Sequence, residues 1–204
     1  GGNRVSAASG SGPVAEAVDA LAAWGQDPLF RLLPGQAALD AELEAQGYRM
    51  HEPTVFYAAR ADEMHGEQSH MAAAYRCHCR PAIMEEIWAS GGIGPARLAI
   101  MERVTVPKQL LMSRADNSPA ATAFAAIDGD VAMIHAIEVL LQYRRKGCAI
   151  LILEAAARWA SEQGAEWLTL AVTQANVGAR ALYERLGMVE TGAYHYRIKT
   201  GESQ

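Results

Sequence analysis

The sequence predicts an α/β (α+β) protein with a mixed, mostly antiparallel central sheet and helices on both of its faces. Two observations carry that prediction. Strand-like segments at 97–104, 109–113 and 121–127 follow one another, and Asp128-Gly129-Asp130 turns the chain into a fourth at 131–139. The pattern then alternates: a helix at 148–163 stopped by Gly164, a strand at 167–173, a helix at 177–186 stopped by Gly187, and extended chain at 188–199. Antiparallel strands followed by β-α-β-α-β need helices on the sheet to cover its apolar faces.

Upstream, residues 1–13 are small, polar and glycine-rich, a composition expected to form a flexible N-terminal segment. Val14, Val18, Leu21 and Ala22 then recur at helical spacing until Gly25 and Pro28 break the pattern. A short apolar stretch at 29–33 follows, then a helix at 37–46 closed by Gly47, and a strand at 54–58. This helix, strand, helix, strand order echoes the chain downstream. Ala22-Ala23-Trp24, Phe30-Arg31-Leu32 and 39–48 stand in the same order as Ala157-Arg158-Trp159, Leu168-Thr169-Leu170 and 179–188. Residues 14–60 therefore read as a partial, divergent copy of the C-terminal half. Residues 61–96 read as a connecting helical region with loops, including a helix from Pro81 to Ser90, and 97–204 as the main domain.

Composition narrows the function. The 204 residues are 50% hydrophobic and 20% charged, with a net charge of -5, so a broad electrostatic surface for nucleic acid is not expected. Nine acidic and four basic side chains within residues 1–64 account for that net charge, which would favour a cationic partner. No apolar run is long enough to span a bilayer, so no membrane association is expected. With no signal-like start and an odd count of 3 cysteines, the sequence reads as a cytoplasmic protein with reduced thiols. Cys77-His78-Cys79 with His65 and His70 lacks the paired spacing of structural zinc, and no metal is expected.

The most informative stretch runs from Val139 to Ala149, where a strand gives way to a helix. Such a junction presents unpaired backbone N–H groups at the positive end of a helix dipole. Arg144, Arg145 and Lys146 add cations, and Gly147, Cys148 and Ala149 leave the main chain uncovered, so the place suits phosphate.

The pattern Arg144-x-x-Gly147-x-Ala149 resembles the Q/R-x-x-G-x-G/A signature of the GCN5-related N-acetyltransferase (GNAT) superfamily. A second segment, Asn176-x-x-Ala179-x-x-Leu182-Tyr183-Glu184-x-x-Gly187-Met188, is similar to the family's N-x-x-A-x-x-L-Y-E-x-x-G-F motif, with Met188 in place of the aromatic residue. Together they cover about residues 97–199. The resemblance implies a GNAT-type sheet and an acetyl-CoA-dependent N-acetyltransferase, and the internal echo then reads as a partial GNAT-like N-terminal half. Direct ternary-complex attack is expected because no cysteine sits where the motifs would demand a covalent nucleophile, Cys148 being inside the phosphate loop.

Under that resemblance acetyl-CoA is the cosubstrate. Its pantetheine would lie along Ile137, Glu138 and Val139, its pyrophosphate on residues 144–149, and its arm against Asn176 and Ala179. An N–H near Ile137 would face the thioester carbonyl, and Tyr183 would protonate the departing thiolate. The glutamate that some relatives carry five residues before the asparagine is Ala171 here, leaving Glu138, His135 or water as general base. Strict alternation puts His135, Ile137 and Val139 on one strand face and Ala136 and Glu138 on the other, unless a bulge resets the phase. The loop at 91–95 either borders the acceptor pocket or is a plain connection, and Trp88 either lines that pocket or packs in the core. The acceptor is a small-molecule or peptide amine that the sequence does not identify, and a homodimer is compatible with the resemblance. The competing reading is a non-catalytic acyl-CoA sensor or interaction module, since no base is obvious.

Overall fold

The computed structural model describes residues 7–10, 12–64 and 74–199. His65 and His70 lie outside the described residues. In chain order the elements are α1 (Val14–Ala23), β1 (Leu29–Leu32), α2 (Ala37–Ala45), β2 (Arg49–Arg60), β3 (Ala74–Cys77), α3 (Ala82–Ser90), α4 (Pro95–Glu102), β4 (Lys108–Ala115), β5 (Ser118–Asp128), β6 (Val131–Val139), α5 (Cys148–Glu162), β7 (Trp167–Thr173), α6 (Val177–Arg185) and β8 (Val189–Ile198). The eight strands form a sheet of order β1-β8-β2-β7-β6-β5-β4-β3. The predicted mixed, mostly antiparallel sheet is observed: β1 with β8, β3 with β4, β4 with β5 and β5 with β6 are antiparallel, while β6 and β7 run parallel.

The chain divides into two compact units. The first comprises Tyr57–Ala171 and Ala181–Val189. Its sheet is covered on both faces. Leu110 and Met112 of β4 join Phe124 and Ala126 of β5 in packing against Met84 and Trp88 of α3 and Leu98 and Met101 of α4. Side chains alternate along a strand, so Leu111 and Ser113 point the other way, and the Ser113 hydroxyl donates to the Cys148 carbonyl of α5 at 3.2 Å. Helix α5 presents Cys148, Ile152, Leu153, Ala156, Ala157 and Ala160 as its buried stripe, spaced as a helix of this kind requires. The predicted helix at 148–163 and strand at 167–173 thus agree with the structure to within a residue.

One expectation fails. Residues 97–104, read as a strand, lie mostly in helix α4, which has Pro95 in its first turn behind Gly94. Leu98 and Met101 are the buried pair, three residues apart. The run Leu98-Ala99-Ile100-Met101 is short and continuously apolar, so its period is ambiguous until neighbours choose the buried face.

The second unit comprises Gly2–Phe56, Val172–Arg180 and Glu190–Gln204. Val14, Phe30, Leu32, Leu43 and Tyr48 form its core. Within the segment read as flexible, Ala8 is tied to β1: its N–H donates to the Leu29 carbonyl at 2.8 Å, and its own carbonyl accepts from the Arg31 N–H at 2.8 Å. A buried cation organises the rest. Arg197 of β8 donates to Asp40 of α2 at 2.7 Å, to the Tyr48 carbonyl at 3.1 Å and to Glu44 at 3.4 Å, while His195 meets the same Asp40 oxygen at 2.8 Å.

The hydrogen bond from Arg197 lowers the Asp40 carboxyl to about 2, burial opposes the shift, and His195 adds to it. A carboxyl depressed on folding stabilises the native state above its unfolded value of 3.8 and loses that contribution as pH falls toward 2. Asp40→Asn should lower unfolding free energy by about 1–3 kcal/mol in urea titrations at pH 7 and flatten the decline of stability below pH ~4.

Candidate active site

Strand β6 positions the site because its two neighbours treat it differently. Along β5 it is paired from Val131 through Val139, whereas its parallel pairing with β7 runs from Val131 opposite Trp167 only to Met133 opposite Thr169. Beyond Met133 no pairing of β6 with β7 is observed among the described residues of this unit, and side chains take up some of the main-chain groups there: Arg144 at the Val139 carbonyl, Trp88 at the Ala136 carbonyl.

The pairing with β5 contains an irregularity. Glu138 opposes Thr122 and His135 opposes Phe124, so Ala136 and Ile137 together face Ala123. This is a bulge, and Ala136 adopts φ +51° within it. For an alanine that conformation costs about 1–2 kcal/mol, so surrounding contacts have to hold it. The bulge corrects the strict alternation: Thr122 and Phe124 share a face, hence Glu138 and His135 share one too, on the side covered by α3 and α4.

The Glu138 carboxyl is mostly covered and lies within 3.6 Å of the Arg144 guanidinium. Burial pushes its pKa above the ordinary carboxylate value, while Arg144 and a hydrogen bond from the Val139 N–H pull it down. Gly91, capping α3, makes this placement sterically feasible: a Cβ there would stand 2.1 Å from Glu138 Oε2. His135 is lowered to about 4, chiefly by burial and secondarily by Arg97, so its imidazole is neutral at physiological pH.

After β6 the chain makes a 3-10 turn at Leu141–Tyr143 and enters the basic stretch. Arg145 at φ +65° and Gly147 at φ +79° both take left-handed backbone, and α5 begins directly behind Gly147. Left-handed residues alternating with ordinary ones bend successive N–H groups toward one concavity, the geometry that receives anions. No side chain caps α5, and Leu151 N–H is bonded to the Gly147 carbonyl, so the amides of Cys148, Ala149 and Ile150 precede the helical ladder. The cations are not all aimed at this concavity. Arg144 also donates to the Val139 carbonyl at 3.3 Å, and Lys146 pairs with Asp116 at 2.5 Å. Cys148 is buried and its thiol lies 3.7 Å from the Tyr143 carbonyl, so only its main chain is offered to the loop.

Tyr183 of α6 is buried, its ring 5.8 Å from that of Tyr57, and burial raises its phenol to about 12. Asn176, in the second unit, precedes α6 and accepts the Ala179 N–H on its side-chain oxygen at 3.2 Å, acting as that helix's cap. Trp88 is fully buried, which settles its two readings in favour of the core, and its indole N–H donates to the Ala136 carbonyl at 2.8 Å. The structure therefore brings Glu138, Arg144 and the bulge together, and adds Trp88 and Gly91, to which sequence reasoning gave no part in placing Glu138 or the bulge. A buried indole must find an acceptor, and that requirement was the available signal. Cys77 is partly buried and Cys79 exposed, and no cluster of metal-ligating side chains occurs among the described residues.

A mixed sheet whose parallel pair is observed only to Met133, beside a basic strand-loop-helix junction, places the chain in the α/β class. The chain belongs to the acetyltransferase (GNAT) family, whose family model matches residues 83–188. A stretch of 63 residues is 35% identical to the uncharacterized N-acetyltransferase YobR of Bacillus subtilis (strain 168), covering 31% of this chain and 26% of that protein. Among solved structures, a GCN5-related N-acetyltransferase from Kribbella flavida superimposes with a TM-score of 0.72 at 22% identity, over 92% of this chain and 74% of the other. A tandem GNAT protein from the clavulanic acid biosynthesis pathway gives 0.69 at 13% identity, over 93% and 69%. At these identities the superpositions speak for the fold.

Titration of the Glu138 carboxyl by carbon NMR checks the electrostatics. Arg144→Ala should raise its pKa further, because the lowering influence of the cation is lost, and Gly91→Ala should bring it back toward 4.5 by driving the carboxyl out of its covered position.

Proposed function

We propose that the chain is an acetyl-CoA-dependent N-acetyltransferase that moves an acetyl group to a primary amine by direct attack within a ternary complex. The opening between β6 and β7, ending at an uncapped helix start, is the observation that carries this reading. The amides of Gly147, Cys148 and Ala149, with Arg144, Arg145 and Lys146 around them, would hold the pyrophosphate. The edge of β6 at Ile137 and Val139 would bond the pantetheine amides as an added strand, with the ligand replacing Glu138 and Arg144 at the Val139 N–H and carbonyl. Asn176 and Ala179 are assigned to the cofactor by the resemblance of their motif alone.

Attack of a neutral amine on the thioester carbonyl forms a C–N bond and places negative charge on the carbonyl oxygen, where the Ile137 N–H would stabilise it. The amine must then lose a proton. Glu138, with its raised pKa and its place beside the bulge, is the better acceptor, because His135, lowered to about 4, takes up a proton poorly at neutral pH. Collapse breaks the C–S bond and releases the thiolate. Tyr183 remains a phenol across the physiological range. Full proton transfer from it to a thiolate of ordinary basicity is uphill by roughly three to four pK units, so its contribution is a hydrogen bond to sulfur as the bond breaks. Residues 14–60 fit a partial second copy of the fold, since α1, β1, α2 and β2 repeat the order of α5, β7, α6 and β8.

Calorimetry with coenzyme A, followed by thiol release from acetyl-CoA across a panel of amines, tests the proposal. Binding with turnover is expected. Binding without turnover on any amine replaces it with an acyl-CoA sensor, and absence of binding at millimolar ligand overturns both. Gly147→Val should weaken coenzyme A at least about tenfold, because a β-branched residue resists the left-handed conformation at φ +79°. Tyr183→Phe should lower turnover with acetyl-CoA affinity held within about threefold. With Glu138 as base, kcat/KM should decline as pH falls through its raised pKa, and Glu138→Gln should abolish that limb.

A further inference from the structure

Strand β6 does not explain its own bulge. Ala136 has neither the missing Cβ of glycine nor the short polar side chain of asparagine, so nothing local favours φ +51° there. The support comes from α3, whose last turn reaches the strand twice. Trp88 donates its indole N–H to the Ala136 carbonyl at 2.8 Å. Three residues on, the bare backbone of Gly91 gives the Glu138 carboxylate its room. These two positions are themselves locked together: the Trp88 carbonyl accepts from the Gly91 N–H at 3.1 Å and from the Ile93 N–H at 2.9 Å. Met84, Leu98, Met101 and Phe124 surround the indole, so it has little freedom to leave its acceptor.

We propose that Trp88 is a positioning residue for the reaction centre: its indole N–H holds the bulge at Ala136 and so aims the Ile137 N–H and the Glu138 carboxylate, with Gly91 leaving the space that carboxylate needs. This rests on the functional reading above, in which Ile137 faces the thioester. A tryptophan serving only to fill the core would be replaceable by another large aromatic without consequence for Ile137. A positioning tryptophan would not, because rotation of the Ala136 peptide carries the Ile137 N–H with it.

The test follows the Ile137 amide proton by NMR in the full chain, comparing acetyl-CoA with coenzyme A, two ligands that differ by the thioester carbonyl. In the wild type, acetyl-CoA should shift this amide relative to coenzyme A. Trp88→Phe, which keeps an aromatic ring and removes the donor, should reduce the difference by half or more while coenzyme A affinity stays within about threefold. Adding Ala136→Gly to Trp88→Phe should restore it, because glycine accepts positive φ unaided. If Trp88→Phe does not fold, benzothienylalanine at position 88, with sulfur where indole has N–H, makes the same deletion at nearly constant volume. An undiminished difference in the donor-less protein, failure of the glycine to restore it, or a wild-type Ile137 amide indifferent to the thioester overturns the proposal while coenzyme A binding keeps the functional reading alive. A wild type that binds no coenzyme A thioester overturns both.

Discussion

A strand cannot satisfy both edges when its neighbours diverge, and β6 is where this fold accepts that constraint. Its antiparallel bond with β5 continues to Val139, but its parallel bond with β7 ends at Met133 opposite Thr169. Backbone donors and acceptors left open in this way demand partners, whether water or ligand. The chain then turns through residues 144–147 into α5, so the open strand edge ends beside a helix start that also lacks partners. The end of that pairing and the helix start without a side-chain cap are the two features on which the proposed acetyl-CoA site rests.

The electrostatics of this region follow from who covers whom. Glu138 sits under the end of α3 because Gly91 has no side chain, and the resulting loss of water raises its pKa against the pull of Arg144. Arg144 is itself divided between Glu138 and the Val139 carbonyl, which links the basic stretch at 144–146 to strand β6. Burial acts in opposite directions on the neighbouring groups. It favours the neutral form of each, raising Glu138 and Tyr183 and lowering His135.

In the second unit the same economy of burial is met by pairing. Arg197 is buried with a carboxylate, a carbonyl and a second carboxylate within reach, joining the last strand to α2. A charge removed from water is tolerated there because its donors are answered.

The sequence by itself determined what depends on near neighbours in the chain. The start of α5, the glycine before it and the three cations ahead of it follow from local rules, because unpaired amides and left-handed glycine are properties of a few consecutive residues. Helix and strand from Cys148 to Thr173 were legible for the same reason, their apolar periods being long and unambiguous. The tertiary structure decided the rest. Leu98 to Met101 became a helix because α3 and β5 offered a face for two residues one turn apart, where the run alone fitted either period. His135 and Glu138 came to one face because Ala136 and Ile137 share a single partner on β5, and that bulge is accompanied by a tryptophan contact 48 residues away in the chain. Local pattern fixes which backbone groups lack partners; only packing between distant segments decides which way they point.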